Sequence, residues 1–163
     1  MNYFKHLPKL QYNNTLLTNI VVRAKIREVV KKNINVLYPY FVREGERPDI
    51  LANKYYGSSQ YTWFIFYTND IVDPIFEWPL DTDAFNAYIK EKYGSIEAST
   101  QRIYHYYNED GLILDEESWL ALPEVDRRIL YAYDYEHIVN EKKRSINLVD
   151  NAYTQQIMEE FKS

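Results

Sequence analysis

Apolar and polar positions change period several times along the chain, and each change predicts an element. Tyr3, Phe4 and Leu7 fall without periodicity ahead of Pro8, which fixes its own backbone and restrains Leu7, so an extended arm is predicted, mobile over residues 2–12 when alone. From Thr15 the β-branched run Ile20, Val21 and Val22 gives way to Ala24, Ile26, Val29 and Val30 among basic residues, a helical spacing ending near Asn33. Asn35 to Val42 alternates as a strand, and the interior Pro39 implies an edge or a bulge. Two short helices follow, residues 49–57 and 60–67. The first has Pro48 and Asp49 at its start and Gly57 at its end, and the second is apolar on every side around Trp63. Ile75 to Leu80 reads as a short strand ending at Pro79, and Thr82 to Tyr93 as a helix closed by Gly94. Period two then sets in. Arg102–Tyr107 and Leu112–Leu114 flank the turn Asn108–Gly111 as a hairpin, and Ile129, Tyr131, Tyr133 and Tyr135 form one face of a further strand. Glu136 to Arg144 is a charged stretch, Ser145 to Val149 is extended, and Asp150 caps a last helix through Phe161. The mixture is α+β.

Length and composition narrow the class. The 163 residues suit one domain with appendages, and no apolar run approaches the ~18 residues of a membrane span. Lys5, His6 and Lys9 stand where a secretory h-region would be, so no signal peptide is expected. Without cysteine there is no disulfide or thiolate site, and a net charge of −5 disfavours nucleic acid. Seventeen tyrosines and three tryptophans are many, and aromatic residues with a polar handle suit protein interfaces as well as cores.

Candidate chemistry is sparse. The paired acids Asp81/Asp83, Glu116/Glu117 and Glu159/Glu160 lie in polar contexts, and the histidines at 6, 105 and 137 are scattered. Asn108, Asp110 and Glu117 match positions of a calcium loop around Gly111, but Tyr106 occupies the first position and brings no carboxylate. No phosphate-binding, dinucleotide or nucleophile-elbow motif is present. Neither an enzyme nor a cofactor is expected.

The order strand, turn, helix, helix, turn, strand over Val42–Leu80 resembles a LysM unit, with Gly45–Ala52, Tyr55-Tyr56-Gly57, Trp63 and Asn69 at the corresponding places. A wider resemblance rests on Arg47-Pro48-Asp49, Ala52, Tyr55-Tyr56-Gly57, Trp63, Asn69-Asp70, Asp73-Pro74 and Trp78-Pro79. It is joined by the Tyr3, Phe4 and Pro8 arm, Phe85 to Gly94, Tyr135-Glu136 and Asn140 to Ile146. In these the chain is similar to the LysM-like baseplate wedge proteins of T-even-type contractile-tailed bacteriophages. The resemblance implies a non-enzymatic virion protein in several copies around the tail axis, without nucleic acid or membrane. Its implied partners are other wedge proteins, a sheath-initiator-like wedge subunit and the central hub. The division it suggests is an N-terminal arm and helix (1–34), a LysM-like core (35–81) and a C-terminal extension of helix, strands and terminal helix (82–163). Structural and interaction roles fall to Tyr3, Phe4, Pro8, Arg47, Pro48, Tyr55, Tyr56, Gly57, Trp63, Asn69, Asp73 and Trp78. Among these, Arg47 is expected to pair with Asp49, Asp70 or Asp73, Asn69 to bond its own following backbone, and Trp63 to plug the core. The alternative is a module binding N-acetylglucosamine polymers of peptidoglycan in a groove between the turns Gly45–Asp49 and Asn69–Asp73.

Overall fold

The computed structural model describes residues 7–19 and 36–160, so Tyr3, Phe4 and the helix expected to end near Asn33 lie outside the described residues. The chain divides into two compact units, Met1–Trp78 with Arg144–Ser163, and Pro79–Lys143. This differs from the three-part division by giving the C-terminal 20 residues back to the first unit.

In the first unit, strands β1 (Lys9–Tyr12) and β2 (Thr15–Thr18) form an antiparallel hairpin where part of an unstructured arm was expected. Asn13 and Asn14 both have positive φ, 46° and 59°, and a turn left-handed at both central residues matches the twist of paired strands. Pro8 precedes the hairpin, its carbonyl accepting the Asn19 N–H at 2.8 Å.

Strand β3 (Leu37–Phe41) leads to helix α1 (Pro48–Tyr56). Pro48 stands in its first turn, and Gly57, at φ 80°, donates its N–H to the Asn53 carbonyl and ends it. A 3-10 turn (Ser59–Tyr61) feeds α2 (Thr62–Thr68), whose buried residues are Phe64, Ile65 and Thr68. The core plug is therefore Phe64 with Ile65; Trp63 is half-buried and packs beside Phe64 and Tyr67. The strand expected over Ile75–Leu80 is instead a one-turn helix, α3 (Pro74–Glu77). Asp73 caps it by accepting the Ile75 N–H at 3.0 Å, and Pro74 is preset for the first helical position, so the Asp-Pro start prevails over the β-branched run.

The second unit opens with α4 (Thr82–Tyr93), capped by Asp81 and buried along Phe85 and Ile89, followed by α5 (Ile96–Gln101), capped by Ser95. Strands β4 (Ile103–Tyr107) and β5 (Ile113–Leu114) form the expected hairpin, with α6 (Glu116–Leu120) after it. Strand β6 (Arg128–Tyr131) completes a sheet of order β5-β4-β6. The expected continuation through Tyr133 and Tyr135 is helical: α7 spans Ala132–Lys142. Ala132, Glu136 and Asn140, four residues apart, form its buried stripe, and Tyr133 and His137 both meet Phe85, at 5.6 and 5.9 Å between ring centres.

The first unit is then completed by β7 (Ser145–Val149) and α8 (Asn151–Glu160). Strand β7 lies antiparallel to β3, with Leu37 opposite Val149, Pro39 opposite Asn147 and Phe41 opposite Ser145. A strand–helix–helix–strand order is thus present, closed by β7 rather than by residues 75–80, with the whole second unit intervening. Val42, Leu51, Ala52, Ile65, Trp78, Ile146 and Leu148 make the main core of this unit, and Val36, Phe64 and Val149 a second cluster.

Candidate interaction site

Side chains cover the outer edge of β7 in sheet β3–β7. The Asn69 side chain accepts the Asn147 N–H at 2.7 Å and donates to the Asn147 carbonyl at 2.8 Å, as a neighbouring strand would, and also donates to the Ile65 carbonyl at 2.8 Å. Its bonds thus go to β7 and to the preceding turn of α2, not to its own following backbone. Because the Asn147 backbone faces Asn69, its opposite residue Pro39 is at a position that pairs no N–H with β7, which is where a strand tolerates proline. The Tyr56 hydroxyl accepts the Val149 N–H at 2.9 Å, and burial pushes the Tyr56 phenol well above its ordinary pKa. Tyr55 meets Tyr56 edge-on at 4.9 Å, while its carbonyl accepts from the Asn151 side chain at 3.0 Å. Pro39 likewise removes one donor from the outer edge of β3.

Helix α3 and the residues leading into it hold three bulky apolar side chains in solvent: Val72, Ile75 and Phe76 are 65%, 76% and 71% exposed. The Glu77 carboxylate accepts the N–H groups of Val72 at 2.5 Å and Asp73 at 3.2 Å, while Asp73 caps Ile75, a reciprocal arrangement that fixes the turn. Trp78 anchors it from below, buried against Phe66 with its indole N–H donated to the Glu46 carbonyl at 3.0 Å. Burying the three exposed side chains on a partner is worth roughly 1.5–3 kcal/mol each before association costs. A further apolar face lies on the β1–β2 hairpin, where Leu10 and Leu17 pair directly and share a side with Tyr12.

Arg47 does pair with Asp49, through two bonds of 3.1 and 3.0 Å at the start of α1, but the pair is solvent-exposed and contributes about 0–1 kcal/mol. Glu46 is the busier acid: it accepts from the Tyr40 hydroxyl at 2.9 and 3.1 Å and from the Arg43 N–H at 3.1 Å, and lies 3.6 Å from the Lys54 ammonium. Burial together with the Glu46 bond raises the Tyr40 phenol.

In the second unit, Glu136 opens the stretch expected from its charges to be solvated, yet its side chain is 7% exposed. It accepts from Tyr88 at 3.0 Å, Tyr93 at 2.8 Å and Lys92 at 2.7 Å, tying α4 to α7. Burial pushes its carboxyl pKa up, but these three donors outweigh burial and hold it below the ordinary value; the Glu136 bond in turn raises Lys92. Asn140, also buried, accepts the Leu80 N–H at 2.8 Å and donates to the Leu80 carbonyl at 3.0 Å. The four-residue spacing of Ala132, Glu136 and Asn140 is the signal that identifies both as inward-facing. Asn108 Oδ1 accepts the Leu112 N–H at 2.8 Å, a turn-closing role, and among the described residues no group of three or more potential ligands could hold a metal.

These features give a protein with apolar side chains held outward on two short elements, the β1–β2 hairpin and the α3 turn. The chain belongs to the base plate wedge protein 53 family, whose model matches residues 11–117, from the β1–β2 hairpin into α6. It is 33% identical over 75 residues to the baseplate wedge protein gp53 of Enterobacteria phage T4, an alignment covering 46% of this chain and 37% of that relative's length.

Proposed function

We propose that the chain is a structural, non-enzymatic component of a contractile phage tail baseplate, residing in the virion and present in several copies around the tail axis. It joins wedge subunits to one another and to the central hub, with a sheath-initiator-like wedge subunit among its neighbours, and acts through protein–protein contacts. Family membership supports this, and the observation that carries it is the exposed trio Val72, Ile75 and Phe76 on a turn fixed by Asp73, Glu77 and Trp78. Such a surface is preorganised for burial, so little ordering entropy opposes docking. Mixing the purified chain with the other wedge and hub proteins on a size-exclusion column tests the reading; co-migration with at least one is expected, and failure with all refutes it.

The saccharide alternative gains no support. The polar groups that would line its groove are engaged within the protein: Arg47 with Asp49, and Asn69 with Asn147 and Ile65.

A further inference from the structure

We propose that Val72, Ile75 and Phe76 form an acid-rimmed plug that seats in an apolar socket rimmed by lysine or arginine on a different baseplate protein. This rests on the baseplate reading and names the chemistry of one partner.

Exposure is the first observation. Well over half of each residue is in water although Trp78, two residues beyond Phe76, is buried, so the turn directs Trp78 inward and the others outward. The second is rigidity. Both carboxylates of the turn are used to fix its backbone, by the bonds from Val72, Asp73 and Ile75. The third is charge. Residues 70–78 carry Asp70, Asp73 and Glu77 and no Lys, Arg or His. The hydrogen-bond donors on Asp73 and Glu77 are neutral backbone amides, and among the described residues neither has a cation in ion-pair range, so their negative charge is uncompensated.

That charge selects the occupant. A second copy docking the same patch face to face would bring like carboxylates together at close range, and the chain's net charge of −5 adds to the repulsion. An anionic lipid surface is disfavoured on the same ground. A basic-rimmed apolar socket satisfies both the trio and its rim, with the apolar contacts supplying affinity and the charges supplying orientation and on-rate.

The test places a photoreactive benzoylphenylalanine at position 76 in the full chain, assembles it into tails, irradiates, and maps the adducts by mass spectrometry. The expected adduct lies on one other baseplate protein, in a peptide combining apolar residues with Lys or Arg. In parallel, Ile75→Asp and Phe76→Asp, at exposed positions that leave the core intact, should melt like the parent and enter tails about tenfold less efficiently or worse. Glu77→Gln keeps an acceptor for the turn but removes its charge, and should flatten the salt dependence of incorporation. Incorporation without an adduct, an adduct to another copy of this chain or to an acid-lined surface, or full incorporation of both aspartate variants overturns the plug alone. Absence of the unaltered chain from tails overturns the baseplate reading and the plug with it.

Discussion

Replacing Asn69 by alanine removes the side chain that stands in for a third strand along β7. Two bonds are lost on Asn147, the 2.7 Å bond from its N–H and the 2.8 Å bond to its carbonyl. Asn147 is exposed, so water reaches the freed groups and each bond counts at its net value of about 0.5–1.5 kcal/mol rather than at a full desolvation cost. The third bond, to the Ile65 carbonyl, adds little, because that carbonyl also accepts the backbone N–H of residue 69 at 3.3 Å. The expected loss is thus about 1–3 kcal/mol, concentrated at the β7 edge. Amide exchange at Asn147, whose protecting acceptor is deleted, should accelerate most, and urea denaturation followed by tryptophan emission should report the destabilisation of the first unit. Asn69→Asp keeps an acceptor for the Asn147 N–H but sets a carboxylate against the carbonyls of Asn147 and Ile65; it should be no milder at neutral pH and should recover partly below about pH 4, where the acid protonates. Since the substitution also uncovers a strand edge, concentration-dependent self-association is expected. An alanine variant within about 0.5 kcal/mol of the parent, with unchanged exchange at Asn147, would refute the reasoning, for that is the behaviour of an ordinary surface site.

The Glu136 cluster should give the second unit an acid-sensitive stability. The folded carboxyl sits below its unfolded value, so its contribution is present above the unfolded pKa of about 4.3 and is lost as pH falls through the folded pKa. Thermal melts from about pH 7 to about pH 3 should show this loss, and Glu136→Gln should flatten the curve while costing about 1.5–3 kcal/mol at neutral pH; an equally steep curve in the variant would assign the acid sensitivity elsewhere. Asn140→Ala removes both bonds to Leu80 and should destabilise the second unit by about 1–3 kcal/mol, read by calorimetry; an unchanged melting temperature would show the bonds are incidental.

Where an element is punctuated by its own residues, the sequence shows it. Pro48, Asp49 and Gly57 delimit α1, Asp81 and Gly94 delimit α4, and Asn108 to Gly111 turns the β4–β5 hairpin. Asn13-Asn14 is punctuation of the same kind, overlooked because Pro8 and scattered aromatics suggested an arm. The residues Ile129 to Tyr135 fit period two and helical period alike over so short a span, and only the packing of Tyr133 and His137 on Phe85 decides for α7. The partner of β3 was beyond local reasoning, since β7 lies about a hundred residues away and pattern gives no register at that distance. The same division holds for the site. Arg47 and Asp49 are two residues apart and their pairing is legible, whereas Asn69 finds its partner 78 residues on. Ile75 and Phe76 were hidden by their assignment to a strand, which would have turned alternate side chains inward.

The insertion of one unit within the other links these observations. The first unit is interrupted between Trp78 and Arg144, so β7 can reach β3 only if the intervening residues 79–143 keep their ends together. As a flexible loop, a segment of that length closes at a cost about four doublings above that of a short turn, or roughly 2.4 kcal/mol. Folding of the second unit lowers this cost, because Asn140, near its exit, grips Leu80 at its entrance. The grip therefore favours pairing of β3 with β7 through chain entropy alone, without a contact to either strand. Trp78, the last residue before the interruption, is at once a core residue of the first unit and the anchor of α3. A partner seated on Ile75 and Phe76 consequently recognises the first unit with Trp78 in place, and by linkage its binding stabilises that state by RT ln(1 + [L]/Kd), about 2.7 kcal/mol at a hundredfold excess over Kd. Assembly and closure of the sheet are then favoured by the same event.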